Sequence, residues 1–132
     1  MGDTIKLAAA GALAFMVLDG LWLGVLMKTF YRDQLAPIVR LANGGIAPNW
    51  PAALAVYALL GTGIALFVIP RASSAWSAAG YGALFGLVVY GVYDFTNYST
   101  LRQWPFVLTL ADVAWGIVAS AAAATAVRAI VR

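Results

Sequence analysis

Four runs of about twenty mostly apolar residues occupy most of this 132-residue chain, and a run of that length is enough to cross the hydrocarbon core of a bilayer as a helix. They cover about 6–28 (KLAAAGALAFMVLDGLWLGVLMK), 51–69, 76–95 and 105–130. Hydrophobic residues make up 64% of the chain and charged residues 10%, against roughly 45–50% and 25% in a soluble domain. Such a surface cannot face water. The sequence therefore predicts an all-α polytopic membrane protein, a single domain over 1–132 with its four transmembrane helices in a bundle. A cleavable signal peptide is the rival reading of the first run, but the run is too long and ends in Lys28 rather than at a small-residue cleavage site. Pro51, Pro70 and Pro105 punctuate the joints, as first-turn and post-helix prolines do. Trp50, Trp76 and Trp104 sit at span edges, where aromatic belts belong.

Phe30 to Trp50 is the longest connection. It mixes Arg32, Asp33 and Arg40 with Leu35, Ile38, Val39 and Leu41. Two readings stand: a short interfacial helix interrupted or started by Pro37 and ended by Asn43-Gly44-Gly45, or an irregular loop. With four spans both termini share a side, here side one, with Lys6, Arg71, Arg128 and Arg132; Lys28, Arg32, Arg40 and Arg102 fall on side two. Four against four leaves no positive-inside bias.

Three of the five acidic residues fall inside or at the end of a span: Asp19, Asp94 and Asp112. A carboxylate there costs roughly 2.5–3.5 kcal/mol at a helix centre and marks a functional site by default. Asp19 precedes Lys28 by nine residues, about 13 Å along a helix, and Asp112 follows Trp104 by eight, about 12 Å. Asp94 closes the third run. All three therefore belong to the half of the membrane nearer side two, and contact between their helices would make one cluster. Trp22 and Trp115 each follow an aspartate by three residues and share its helix face. Tyr90 to Pro105 (YGVYDFTNYSTLRQWP) is the densest polar stretch, and its Arg102 is a candidate counter-ion, with Lys28 and Arg32 as alternatives. The candidate ligand-binding or proton-binding set is Asp19, Trp22, Tyr90, Tyr93, Asp94, Asn97, Arg102, Asp112 and Trp115. The bland alternative is that the aspartates are hydrogen-bond glue between helices. The small-residue stripes Gly82/Gly86 and Gly116/Ala119/Ser120/Ala123 read as plain helix packing.

Absent residue types narrow the chemistry. With no Cys there is no disulfide, thiolate site or cysteine nucleophile, and with no His the commonest metal ligand and the usual triad base are missing. Scattered basic residues and a net charge of +3 leave no nucleic-acid footprint. Tyr93-Asp94 resembles half of the presenilin-type protease signature, but the Gly-x-Gly-Asp half is missing; no Asp-x-x-Asp spacing supports a magnesium site. No catalytic or metal-binding role is assigned, and no cofactor is named.

LDGLWLGVLMKTFYRD (18–33), GALFGLVVYGVYDFTNYSTLRQWP (82–105) and ADVAWG (111–116) together resemble a bacterial membrane-protein family known as domain of unknown function number 2177. The resemblance covers nearly the whole chain. It implies a small bacterial membrane protein of about four helices and transfers no site residues; the expected location is the bacterial inner membrane. Three functions then compete. The first is an accessory protein whose polar site binds a lipid, an apolar cofactor or a partner subunit, with the first loop and Thr96–Trp104 as its lid. The second is a proton-coupled exporter resembling small multidrug resistance transporters, working as an antiparallel homodimer, although those transporters usually carry Glu and lack the two extra acids and the long first loop. The third is a structural subunit of a larger membrane complex. The partners expected are therefore membrane lipid, a second copy or a larger complex.

Overall fold

Residues 2–131 are described in the computed structural model. α1 (Gly2–Leu21) continues as a π turn, Trp22–Leu26, and breaks at Met27, whose φ/ψ of −120°/18° is not helical. α2 (Lys28–Leu35) follows at once, burying Tyr31 and Leu35, one turn apart. α3 (Trp50–Gly63) runs through a π turn (Ile64–Val68) into a short 3-10 turn (Ile69–Arg71). α4 (Ala75–Thr100) and α5 (Phe106–Ala129) complete the helices. Four of these segments are long and apolar enough to cross a membrane: Gly2–Leu26, Trp50–Arg71, Ala75–Thr100 and Phe106–Ala129. The molecule is an all-α, four-helix-bundle membrane protein.

Local chemistry sets the starts. Asn49 caps α3 by accepting from the Ala52 N–H, with Pro51 in the first turn. Ser74 and Ser77 form a reciprocal capping box on α4. α4 does not stop near residue 95 but continues to Thr100, and Ser99 and Thr100 turn their hydroxyls back to the Thr96 carbonyl at 2.8 and 2.9 Å. Those bonds keep polar side chains compatible with a helix end. The segment 96–100 is therefore helix, not part of a lid loop. Within the first connection the short helix exists, but it is α2, and Pro37 follows it. Asn43-Gly44 does not end a helix. Both residues hold positive φ (52° and 78°) and turn a two-stranded antiparallel hairpin, β1 (Leu41–Ala42) against β2 (Gly45–Ile46), with Leu41 opposite Ile46. Asn-Gly in a two-residue hairpin loop suits that backbone.

The helices pack in the order α3, α1, α5, α4. α1 and α3 touch backbone to backbone: a Cβ on Gly61 would lie 2.2 Å from the Ala8 carbonyl oxygen. α4 and α5 meet through the two small-residue faces, where a Cβ on Gly86 would lie 2.1 Å from the Gly116 oxygen. Such small-residue contacts let helices approach where burial from water offers no drive. α3 meets α4 at its far end, through Gly63 against Phe85 and through the π and 3-10 turns that follow. The main core gathers Phe15, Ile64, Val68, Ala78, Ala119 and Ala123; a second cluster of Tyr31, Leu35, Trp104 and Leu108 seats α2 on α5. Outward surfaces are apolar, with Val17, Leu59 and Val92 exposed while Asp94 is wholly buried, the reverse of a water-facing fold.

Gly86→Val should lower the thermal midpoint in detergent, as overpacking by at least about 1–3 kcal/mol would. Gly80, with nothing within 4 Å of an added Cβ, provides the contrast: Gly80→Ala should leave the midpoint unchanged or raise it by up to the equivalent of about 1 kcal/mol. Equal losses for both variants would contradict this packing.

Candidate functional site

Three helices each deliver one carboxyl: Asp19 from α1, Asp94 from α4 and Asp112 from α5. Asp19 is buried. Its Oδ1 accepts from Trp115 Nε1–H at 2.8 Å and its Oδ2 from the Tyr57 hydroxyl at 3.0 Å. Asp112 Oδ1 accepts from the Tyr31 hydroxyl at 2.8 Å, and Tyr31 in turn accepts from Trp22 Nε1–H at 2.9 Å. The two strings meet where Trp22 and Trp115 stack with centroids 4.5 Å apart and planes 1° from parallel. One connected path thus runs Tyr57–Asp19–Trp115–Trp22–Tyr31–Asp112, tying α3, α1, α5 and α2 together.

Asp94 is different. It is 0% exposed, and neither carboxyl oxygen has a hydrogen-bond donor among the described residues. Its neighbour is Asp112, close enough for a bond between the two side chains if a hydrogen lies between them. Among the described residues no cation answers these carboxyls. The one ion pair among the described residues is Arg32–Asp33, at 3.1 Å on the surface. The expectation that Arg102 serves as counter-ion is corrected here: the turn after α4 sends Arg102 outward and Trp104 inward, so Arg102 is exposed and Trp104 buried. Lys28 lies along Gly45, and Arg32 donates to the Gly44 carbonyl at 3.1 Å, so the alternatives are engaged with the hairpin instead.

The remaining predicted residues divide into a near and an outer group. Tyr90 is half-buried, with its ring filling the space beside Gly116, where a Cβ would stand 2.1 Å from Tyr90 Cγ. Tyr93 is 55% exposed and packs edge-on to Trp104 at 5.8 Å, with Asn97 beside its hydroxyl. Tyr93 and Asn97 flank the site and make no hydrogen bond to an aspartate among the described residues. Sequence reasoning missed two participants, Tyr31 and Tyr57. Tyr57 had a signal: with Thr62 it is one of two hydroxyls in the 51–69 run, and Thr62 is spent on the Ala58 carbonyl at 2.7 Å. Tyr31 had a weaker one, the Tyr31/Leu35 pair at helical spacing on an otherwise polar segment. Burial first, and the adjacent Asp112 carboxylate second, push the Tyr31 phenol above its usual range. It therefore remains a donor throughout the neutral and moderately alkaline range.

A family model described as "Predicted membrane protein (DUF2177)" matches residues 4–129. The chain belongs to the DUF2177 family. No curated protein and no solved structure matches it. The DUF2177 match takes in α2, the hairpin and all three carboxyls, so the whole site lies within the family's own span. DUF2177 membership establishes an integral membrane protein with four apolar helices.

A double-mutant cycle tests the wiring. Tyr57→Phe and Asp19→Asn should couple by about 0.6–1.7 kcal/mol in unfolding free energy, the range of interhelical hydrogen bonds in a membrane bundle. Tyr93→Phe, which removes no bond to Asp19, should couple with Asp19→Asn by less than about 0.3–0.5 kcal/mol.

Proposed function

We propose that this DUF2177 protein is an accessory binding protein of the bacterial inner membrane whose intramembrane Asp94–Asp112 pair takes up a cationic, amine-bearing amphiphile and releases a proton as it does so. The observation that carries the reading is Asp94: wholly buried, set against a second carboxyl and, among the described residues, without a donor and with no basic side chain paired to either carboxyl. An ionised carboxyl only accepts hydrogen bonds. Two in contact need a hydrogen between them, and in apolar surroundings an unpaired charge is costly. A proton supplies that hydrogen in the resting state. An ammonium group supplies both the donor and the opposite charge, and so competes with the proton for one place. Aromatic rings suit the same cation: Tyr90 lies near Asp112, and the stacked Trp22 and Trp115 are joined to Asp112 through Tyr31, and ring faces attract ammonium groups. Asp19 has a positioning role here, since both its oxygens are satisfied and it holds the Trp115 indole.

Entry would require α2 to lift. It is joined to α1 by the π turn and the non-helical Met27, and it covers Asp112 through Tyr31. π segments are frequent at functional sites.

The test uses benzylammonium at a pH well below the amine's own titration, so that the probe keeps both its charge and its N–H donors and gives no proton to the medium. Added to purified protein in weakly buffered detergent, it should bind saturably with stoichiometric acidification of the medium. Asp94→Asn should abolish the acidification and weaken binding by more than about tenfold, the loss of one buried charge partner. Saturable binding without proton release would refute the exchange. The equal division of Lys and Arg between the two sides favours a second reading, an antiparallel dimeric proton-coupled exporter. Reporters active on opposite faces, fused after Arg132, would both give signal under that reading, and only one would under the first.

A further inference from the structure

We infer that the cleft between α4 and the π and 3-10 turns that end the second span (Ile64–Arg71), on side one, holds one anionic phospholipid, at a place separate from the carboxyl site. α3 packs on α1 and α4 on α5, so the two consecutive helices diverge from their shared turn. The cleft they leave has a volume of about 420 Å³, within the usual range of small-molecule sites. Its walls are apolar, from Phe67 on the second span and Leu84 and Val88 on α4. The Phe85 ring forms the floor by lying against Gly63, where a Cβ would stand 2.3 Å from the ring. Leu84 and Val88 lie one turn apart on α4, and the wall from Tyr81 to Val88 is about 10 Å long, enough to take the upper part of an acyl chain.

Arg71 and Tyr81 stand at the mouth. Arg71 donates one guanidinium N–H to the Phe67 carbonyl at 2.9 Å, which anchors the side chain over the cleft, and it has no ion-pair partner among the described residues. A guanidinium has five N–H donors, so most remain to meet a phosphate, for which its planar fork is suited. No acidic side chain lines the cleft. Arg128 braces the same turn by donating to the Ser73 carbonyl at 3.2 Å, adding positive charge nearby. A guanidinium above an apolar slot of acyl width matches a phospholipid whose head group carries net negative charge, as basic pockets between membrane helices do.

Native mass spectrometry of the detergent-purified full chain would test this, titrating phosphatidylglycerol against phosphatidylcholine with identical acyl chains. Wild type should retain one phosphatidylglycerol molecule about fivefold more strongly, the effect of one basic residue on an anionic lipid. Arg71→Gln should equalise the two lipids. Leu84→Trp, at an outward position that can change without disturbing the core, should displace both. Thermal midpoints of the variants, expected to match wild type, show that they are folded. Equal retention by wild type, a preference that survives Arg71→Gln, or lipid retention unchanged by Leu84→Trp would each overturn the inference. So would a dimer that Leu84→Trp dissociates without any change in lipid, since the cleft would then be a contact between copies.

Discussion

A polar atom in the apolar part of this bundle has no water to bond to, and the chain must supply its partner. That constraint shapes the structure at every level. Backbone groups satisfy it by staying helical through four long segments and, in the first connection, by closing a small hairpin. Side chains satisfy it by the path from Tyr57 through Asp19, Trp115, Trp22 and Tyr31 to Asp112. The path joins four of the five helices, and it replaces counter-ions with neutral donors. Phenol and indole N–H groups are suited to this, since each carries its own apolar body into the bundle.

The rule is left incomplete at the neutral Ser120 hydroxyl and Trp104 indole N–H, which have no partner among the described residues, and most consequentially at the Asp94 carboxyl. Asp19 has two donors and Asp112 has one, but the Asp94 oxygens have none among the described residues. The gradation separates a carboxyl whose bonds are complete from a pair that must take something in. Hydrogen-bond glue accounts for Asp19 by itself; it does not account for a carboxyl set against another carboxyl. The close helix contacts at Gly61 and Gly86 matter for the same reason. They bring α1 to α3 and α4 to α5 near enough for short side chains such as Asp to meet across a helix pair.

Much of the site was legible because depth along a helix is simple counting. Asp19 and Asp112 lie at matching distances from their side-two ends, and Trp22 and Trp115 share their faces by three-residue spacing. What counting could not supply was direction around each helix axis and the placement of loops. Arg102 sits at the correct depth yet turns outward, because the buried Trp104 two residues on takes the inward place. Tyr31 lies in a connection whose short helix begins at Lys28, and Asn43-Gly44 fits a helix end as well as a hairpin, for which the dipeptide is the strongest short signal.

The sequence alone determined the class, the number of spans, the shared depth of three carboxyls and the small-residue faces, because all of these follow from composition and from the rise per residue of a helix. Only the tertiary structure decided that α1 lies between α3 and α5, that Tyr31 and Tyr57 rather than any cation answer the aspartates, and that Asp94 faces Asp112. Those outcomes depend on the rotation of helices against one another and on where α2 docks. Both are set by contacts between residues dozens of positions apart, such as Tyr31 with Asp112, 81 positions along the chain, and no local pattern encodes them.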